Sequence, residues 1–302
     1  MKIVIIGQDQ FGADILKELL LLNKNIVGIS TPLPKQGNDT DKLSLLGKEN
    51  NLPNIYTKLL KEKKYADEFI TSWKPDLIIF AFVTDIVPKN ILDSATIGAI
   101  QYHPSLLPKH RGRSAMNWAI VNGEKETGIT IFWVDEGIDT GPILIQESVK
   151  INNDDSVSKI YFNNLYPLGI QLMIKAIKLV ENNEAPKIIQ DESLSTYEPP
   201  MTKKFGKIDW NQDAQLIHNL IRGCDPQPGA HTTFKEKPIQ LYQSTLLKEK
   251  FATEQNGTIT DIRKNAIIIS TSTGSIQIKK IREEGQDKTD ASSLFHIGDK
   301  LN

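Results

Sequence analysis

Apolar residues in the first third of the chain fall into short unbroken runs, separated by stretches where they recur at helical spacing. Residues 2–6 read as a first strand, its continuous apolar run Ile3 to Ile6 ending at Gly7, the pattern of a strand buried on both faces. From Phe11 to Leu22 the residues Phe11, Ile15, Leu16, Leu19 and Leu22 predict an amphipathic helix. Residues 25–30 read as a second strand and Leu43 to Asn50 as a second helix. Ala66 to Trp73 reads as a helix that stops before Pro75, and Leu77 to Val83 as another buried strand. A further apolar run, Ile97-Gly-Ala-Ile, leads to Gln101. Strands alternating with helices in this way predict an α/β fold, a parallel sheet with helices on both faces.

The pattern then changes. Ser114 to Asn122 is helix-like, Ile129 to Val134 is a strand, and Leu144 to Ile151 alternates like an exposed edge strand. Asp155-Ser156 caps a long amphipathic helix that runs through Val157, Ile160, Tyr161, Leu165, Met173, Ile177 and Val180. Asn182 to Pro200 is polar and punctuated by proline, as a linker would be. Beyond it come one helix, Gln212 to Arg222, and five short strands from Ala230 to Ile281, the spacing of a small barrel or sandwich. The expected organisation is a domain over 1–190, a linker over 191–205 and a β domain over 206–302.

Charge narrows the class. The 36 basic and 37 acidic side chains of this 302-residue chain nearly cancel, which argues against a dedicated nucleic-acid binder. The single cysteine, Cys224, forbids an intrachain disulfide. No secretory signal precedes the first strand, and the longest apolar stretches are too short to span a bilayer. These features predict a cytoplasmic protein without a membrane partner.

Candidate chemistry concentrates between Gln101 and Leu144. His103 directly follows a strand and opens the proline-bracketed loop His103 to Gly112, the carboxyl-end position where open α/β sheets carry their sites. An imidazole there can relay or donate a proton at neutral pH. Asp139, in the turn Asp135-Glu-Gly-Ile-Asp-Thr-Gly141 after the next strand, is the carboxylate such a histidine needs as partner. His110, in the following loop, reads as solvated or orienting, and His218, His231 and His296 as structural. Ser105 lacks the glycine elbow of a nucleophile. Gly7-Gln-Asp-Gln-Phe-Gly12 lacks the middle glycine of a dinucleotide fingerprint, and Asp9 there would repel a pyrophosphate, so it reads as a tight turn. No histidine, cysteine or aspartate spacing suits a metal.

The strings His103-Pro-Ser-Leu-Leu-Pro108, Arg111-Gly112, Asn117-Trp118, Thr127-Gly128 and Asp135-Glu-Gly-Ile-Asp-Thr-Gly141 resemble the 10-formyltetrahydrofolate-using formyltransferase family. Ile208-Asp-Trp210, Ile221-Arg-Gly223 and Pro228-Gly-Ala230 extend the resemblance to nearly the whole chain. Within the family, Gly7-Gln8, Phe11-Gly12, Tyr102 to Gly112 and Phe132-Trp133 look most like the hydrolase domain of 10-formyltetrahydrofolate dehydrogenase. Methionyl-tRNA formyltransferases and sugar-nucleotide N-formyltransferases share the same core.

The resemblance implies a Rossmann-like formyltransferase domain, a small OB-like C-terminal barrel, and 10-formyltetrahydrofolate as formyl donor with no metal. It implies catalytic roles for His103 and Asp139, with Gln101 where the family carries asparagine. It places the folate against Phe82, Val83, Asp85, Ile86, Val87 and Leu92 on one side and Val134, Asp135, Glu136 and Gly137 on the other, with Phe80 among the apolar walls. The acceptor would be water or an amine, and Ser105, Arg111 and Arg113 are the candidate substrate contacts. A tRNA acceptor is disfavoured, because the stretch Thr31 to Asp41 carries only Lys35 against two aspartates. Gln101 in the asparagine position also leaves open a weakly catalytic folate-binding protein.

Overall fold

The structure, a computed structural model, describes residues 1–34, 41–83, 85–247 and 255–302. Lys35 to Thr40, on which the argument against tRNA partly rests, and Thr84 lie outside the described residues. The chain forms two compact units. One comprises residues 1–111, 128–148 and 164–197, and the other 112–127, 149–163 and 198–302.

In chain order the elements up to the last long helix are β1 (Lys2–Gly7), α1 (Asp9–Leu21), β2 (Asn25–Ser30), α2 (Lys42–Glu49), α3 (Lys63–Glu68), β3 (Leu77–Ala81), α4 (Lys89–Leu92), β4 (Gly98–His103), α5 (Ala115–Val121), β5 (Glu126–Trp133), β6 (Ile143–Lys150), α6 (Val157–Ile160) and α7 (Tyr166–Glu181). Strands β1 to β6 form one sheet in the order β2-β1-β3-β4-β5-β6. The pairs β1–β2, β1–β3 and β3–β4 are parallel, as the alternation predicts. The pair β4–β5 is antiparallel, with Gln101 opposite Phe132 and His103 opposite Thr130, so the sheet is mixed. A strand–helix–strand pattern reads the same whether the chain crosses the sheet or re-enters from the edge it left, which is why the sequence alone suggests parallel pairing throughout.

The buried runs of β1 and β3 lie at the sheet centre, where Val4, Ile6, Ile78 and Phe80 pack with Phe69 and Trp73. The predicted long helix is helical from Val157 to Glu181, with a π turn at Tyr161–Leu165. The turn from Gly7 into α1 carries no phosphate cradle. Asp9 adopts φ 53, and its N–H donates to the Asp41 carboxylate at 2.7 Å, so an acidic side chain fills the place an anion would need.

In the second unit, α8 (Ala214–Gly223) buries Ile217 and Ile221 in the core of an antiparallel sheet. Its strands are β7 (Ala230–Phe234), β8 (Lys237–Leu247), β9 (Ile259–Arg263), β10 (Ala266–Ser270), β11 (Ser275–Glu283) and the short β12 (Thr289–Asp290). The order is β7-β8-β11-β10-β9, with β12 on β11, and all five predicted strands are present. Cys224 is buried there, its thiol pushed up to about 12 by desolvation, so it is inert as a nucleophile. Among the described residues no helix is long and apolar enough to cross a membrane.

His218 on α8 is 1% exposed, with Nε2 at 2.9 Å from the Asn153 carbonyl and Nδ1 at 2.8 Å from Ser244 Oγ. Burial holds its pKa below 6.5, the Arg222 charge adding to this and the Asn153 carbonyl opposing it. The neutral ring is therefore the folded form. Its contribution is complete above pH 6.5 and is lost as the pH falls below that value. Denaturant unfolding measured from about pH 7 to about pH 5 should show stability falling by at most about 1.4 kcal/mol per pH unit through this group. His218→Gln should lose that part of the slope; equal slopes in both proteins would acquit His218.

Candidate active site

The site is built along the last residues of β4, against which the turn after the antiparallel β5 folds back. His103 is the last residue of β4 and is 4% exposed. The loop that follows is tied down from within: Ser105 Oγ donates to the Lys109 carbonyl at 2.7 Å, and Thr130 Oγ1 on β5 donates to the Ser105 carbonyl at 2.7 Å. Gln146 on β6 donates to the Leu107 carbonyl at 2.9 Å. This curvature brings the carbonyl of His110 to 2.8 Å from His103 Nε2. A carbonyl can only accept, so Nε2 carries a hydrogen and Nδ1 is left facing the site.

Asp139 meets it from the turn between β5 and β6. Its Oδ2 lies 3.5 Å from His103 Nδ1, and its Oδ1 accepts from Gln101 Nε2 at 3.3 Å. Asp139 is 8% exposed and adopts φ 56, a left-handed conformation that aspartate tolerates better than most residues. The turn closes on itself, since Asp135 Oδ1 accepts from the Gly137 N–H at 3.0 Å and from Thr140 Oγ1 at 2.6 Å. With a proton on Nδ1 the His103–Asp139 contact is a buried ion pair. Gln101 and His103 thus share one carboxylate, from a residue 38 positions beyond Gln101.

A cavity of about 700 Å³ opens beside these groups in the first unit. Gln101 and Asp139 line it, together with Val83, Asp85, Ile86, Val87 and Leu92 on one side. Val134, Asp135, Glu136 and Gly137 line the other, and Phe80 is among the apolar walls. Ile138 lines it within the expected Val134 to Asp139 run, whereas Phe132, Lys89 and Asp93 also line it and stand outside the set expected from sequence. Among the described residues of the lining Lys89 is the one cation, and it pairs with Glu136 at 2.8 Å and Asp93 at 3.4 Å. The Glu136 bond raises the pKa of Lys89, with Asp93 adding to it, and the same pair lowers that of Glu136.

The remaining expected residues lie elsewhere. Phe82 adopts φ 63, is 43% exposed and is not a lining residue. Ser105 is fully buried, with its hydroxyl spent on the Lys109 carbonyl. Arg111 is buried too: its guanidinium donates to Glu192 at 2.9 and 2.7 Å and to Gln190 Oε1 at 3.3 and 2.9 Å. Glu192 holds that guanidinium above the usual arginine range, against the pull of burial. Arg113 is exposed and belongs to the second unit.

His110 is 5% exposed rather than solvated, and it orients His103 through its backbone carbonyl, an acceptor that leaves no side-chain signature. One contributor escaped the sequence reading. Gln190, in the polar stretch after α7, is 5% exposed and donates to the carbonyls of Asp139 and Gly141. A single buried amide in an aperiodic segment has no pattern to betray it. Among the described residues no group of histidine, cysteine, aspartate and glutamate side chains could hold a metal ion.

The sequence model described as Formyl transferase matches residues 1–177, and that of its C-terminal domain matches residues 200–297. The chain is 33% identical to the mitochondrial 10-formyltetrahydrofolate dehydrogenase of Homo sapiens over 99% of its own length and 34% of that protein's. It therefore spans about a third of that relative. It is 36% identical to the methionyl-tRNA formyltransferase of Alkaliphilus oremlandii, covering 95% of this chain and 94% of the other. Its fold matches the N-formyltransferase of Helicobacter canadensis, solved in complex with folinic acid and dTDP-3-aminofucose, with a TM-score of 0.72 and 22% identity over 94% of this chain and 99% of that one.

Proposed function

The chain belongs to the formyl transferase family, and from that premise we propose that it moves the formyl group of 10-formyltetrahydrofolate to water or an amine, releasing tetrahydrofolate. The observation that carries this reading is the convergence of Gln101, His103 and Asp139, with Gln101 and Asp139 lining the cavity and His103 against the Asp139 carboxylate. The cavity suits a folate in size and character: about 700 Å³ lies within the range of small-molecule sites, with apolar side chains and a run of backbone groups along Val134 to Ile138.

When bound, the donor supplies an acyl carbon on a nitrogen leaving group. The chain supplies the rest. His103, its ring fixed by the His110 carbonyl, presents Nδ1 toward the reacting centre. Gln101 holds its amide in place by giving one N–H to Asp139, and its second N–H remains to stabilise negative charge developing on the formyl oxygen. Asp139 accepts the proton that the attacking water or amine must lose, directly or through a water. The His103–Asp139 pair returns a proton to the departing nitrogen, so the balance closes on formate or a formamide plus tetrahydrofolate.

Water is the favoured acceptor, because the Gln101 amide is tied to the carboxylate. An asparagine, one methylene shorter, could not span to Asp139 and would leave both N–H donors free. Gln101→Asn should therefore raise amine-dependent transfer relative to hydrolysis by about tenfold, within what one such donor is worth. Tetrahydrofolate release measured with and without candidate amines tests both points. Release without an amine supports hydrolysis, release only with one supports transfer, and binding without turnover defeats the enzymatic reading.

A further inference from the structure

We infer that Gln190 is a positioning residue that sets the backbone of Asp139 for the reaction; this rests on the formyl-transfer reading. Its Nε2 donates to the carbonyl of Asp139 at 2.9 Å and to that of Gly141 at 2.7 Å, bracketing Thr140. Its Oε1 accepts from Arg111 Nε at 3.3 Å and Nη2 at 2.9 Å. The amide can sit only one way round. Flipped, its oxygen would face two carbonyls and its nitrogen would face guanidinium donors. Arg111 is fixed in turn by the Glu192 carboxylate.

The effect on Asp139 is specific. A left-handed aspartate persists where its surroundings hold it, and the donor that holds the back of this one is the Gln190 amide. The front of the turn is secured separately by Asp135, and the segment bearing Gln190 is anchored by reciprocal Ile143–Ile188 backbone bonds of 2.7 and 2.9 Å. Loss of the amide therefore releases the carboxylate's mounting while the wall at Val134 to Gly137 and the 188–190 strap stay in place.

The test is steady-state turnover of 10-formyltetrahydrofolate by the full chain and its variants. Gln190→Met keeps the length of the side chain and removes its hydrogen bonds. It should lower kcat about 10–10²-fold, as a misplaced catalytic group does, with KM for the folate within about threefold. Gln190→Glu keeps an acceptor for Arg111 but sets an oxygen against the two carbonyls, so it should rescue nothing, whereas a strap that served only to hold Arg111 would be rescued. A kcat within about twofold of wild type in Gln190→Met, or its full recovery in Gln190→Glu, overturns the inference. Should Gln190→Met fail to fold, Glu192→Gln replaces it: this residue is exposed, and kcat should fall about two- to fivefold at constant KM. An unchanged kcat there overturns it equally. An inactive wild type is a different result, since it removes the formyl-transfer reading and the inference with it.

Discussion

Replacing His103 with alanine, or Asp139 with asparagine, is expected to lower turnover of 10-formyltetrahydrofolate by about 10²–10⁴-fold, the range for loss of a placed acid or base. Affinity for tetrahydrofolate should stay within about threefold in both, because uniform binding is separate from stabilisation of the reacting centre. The reason is positional. His103 is not itself a lining residue of the cavity, and the Asp139 carboxylate is one group among many along its wall. Removing the imidazole leaves Asp139 without its ring partner, and amidation of Asp139 removes the proton acceptor of the proposed mechanism while keeping the side chain's shape. The double variant should be little worse than the worse single one, since the two act as a unit. Rates unchanged in both single variants, measured as tetrahydrofolate release, would remove the proposed site.

The second large effect is expected from Gly141→Ala. A Cβ at Gly141 would overlap the Trp133 carbonyl oxygen and sit 2.9 Å from its carbon. Both neighbours are backbone at the end of β5, so no side chain can swing aside, and the turn carrying Asp139 must open. A loss of roughly 1–3 kcal/mol or more is expected from such overpacking, with activity falling at least about 10²-fold as the carboxylate is displaced. Gly274→Ala is the control: its Cβ would meet nothing closer than 3.4 Å, and its stability should stay within about 0.5 kcal/mol of wild type. Chemical denaturation of the two variants beside wild type separates the outcomes, and comparable stability of Gly141→Ala and wild type would show the turn to be looser than its geometry implies.

Much of this site was legible in the amino-acid sequence because its parts sit at punctuation points. A histidine directly after an apolar run and a glycine-flanked aspartate after the next run mark strand ends, although β5 ends opposite Ile100 and the turn after it has to bring Asp139 back to Gln101 and His103. The buried runs of β1 and β3 and the helical stripe of α1 were equally readable, because a period of hydrophobicity survives in one dimension. The antiparallel return of β5 was not, since periodicity carries no sign for strand direction. Nor was the hold on the site from behind. The His110 carbonyl, the Gln190 amide and the Arg111–Glu192 pair act through distances of 2.7 to 2.9 Å between residues up to 81 positions apart. Charged and polar residues in a loop look solvated until the fold closes over them, and Arg111, a candidate substrate contact by sequence, is a buried cation in the structure.

The most direct measurement is a crystal structure of the full chain with a formyl-bearing folate such as folinic acid. The pteridine should lie along the backbone of Val134 to Ile138, with the formyl oxygen within hydrogen-bond reach, about 3.5 Å or less, of Gln101 or His103. A folate seated in another cavity, or one whose formyl group lies beyond the reach of both residues, would contradict the proposed mechanism.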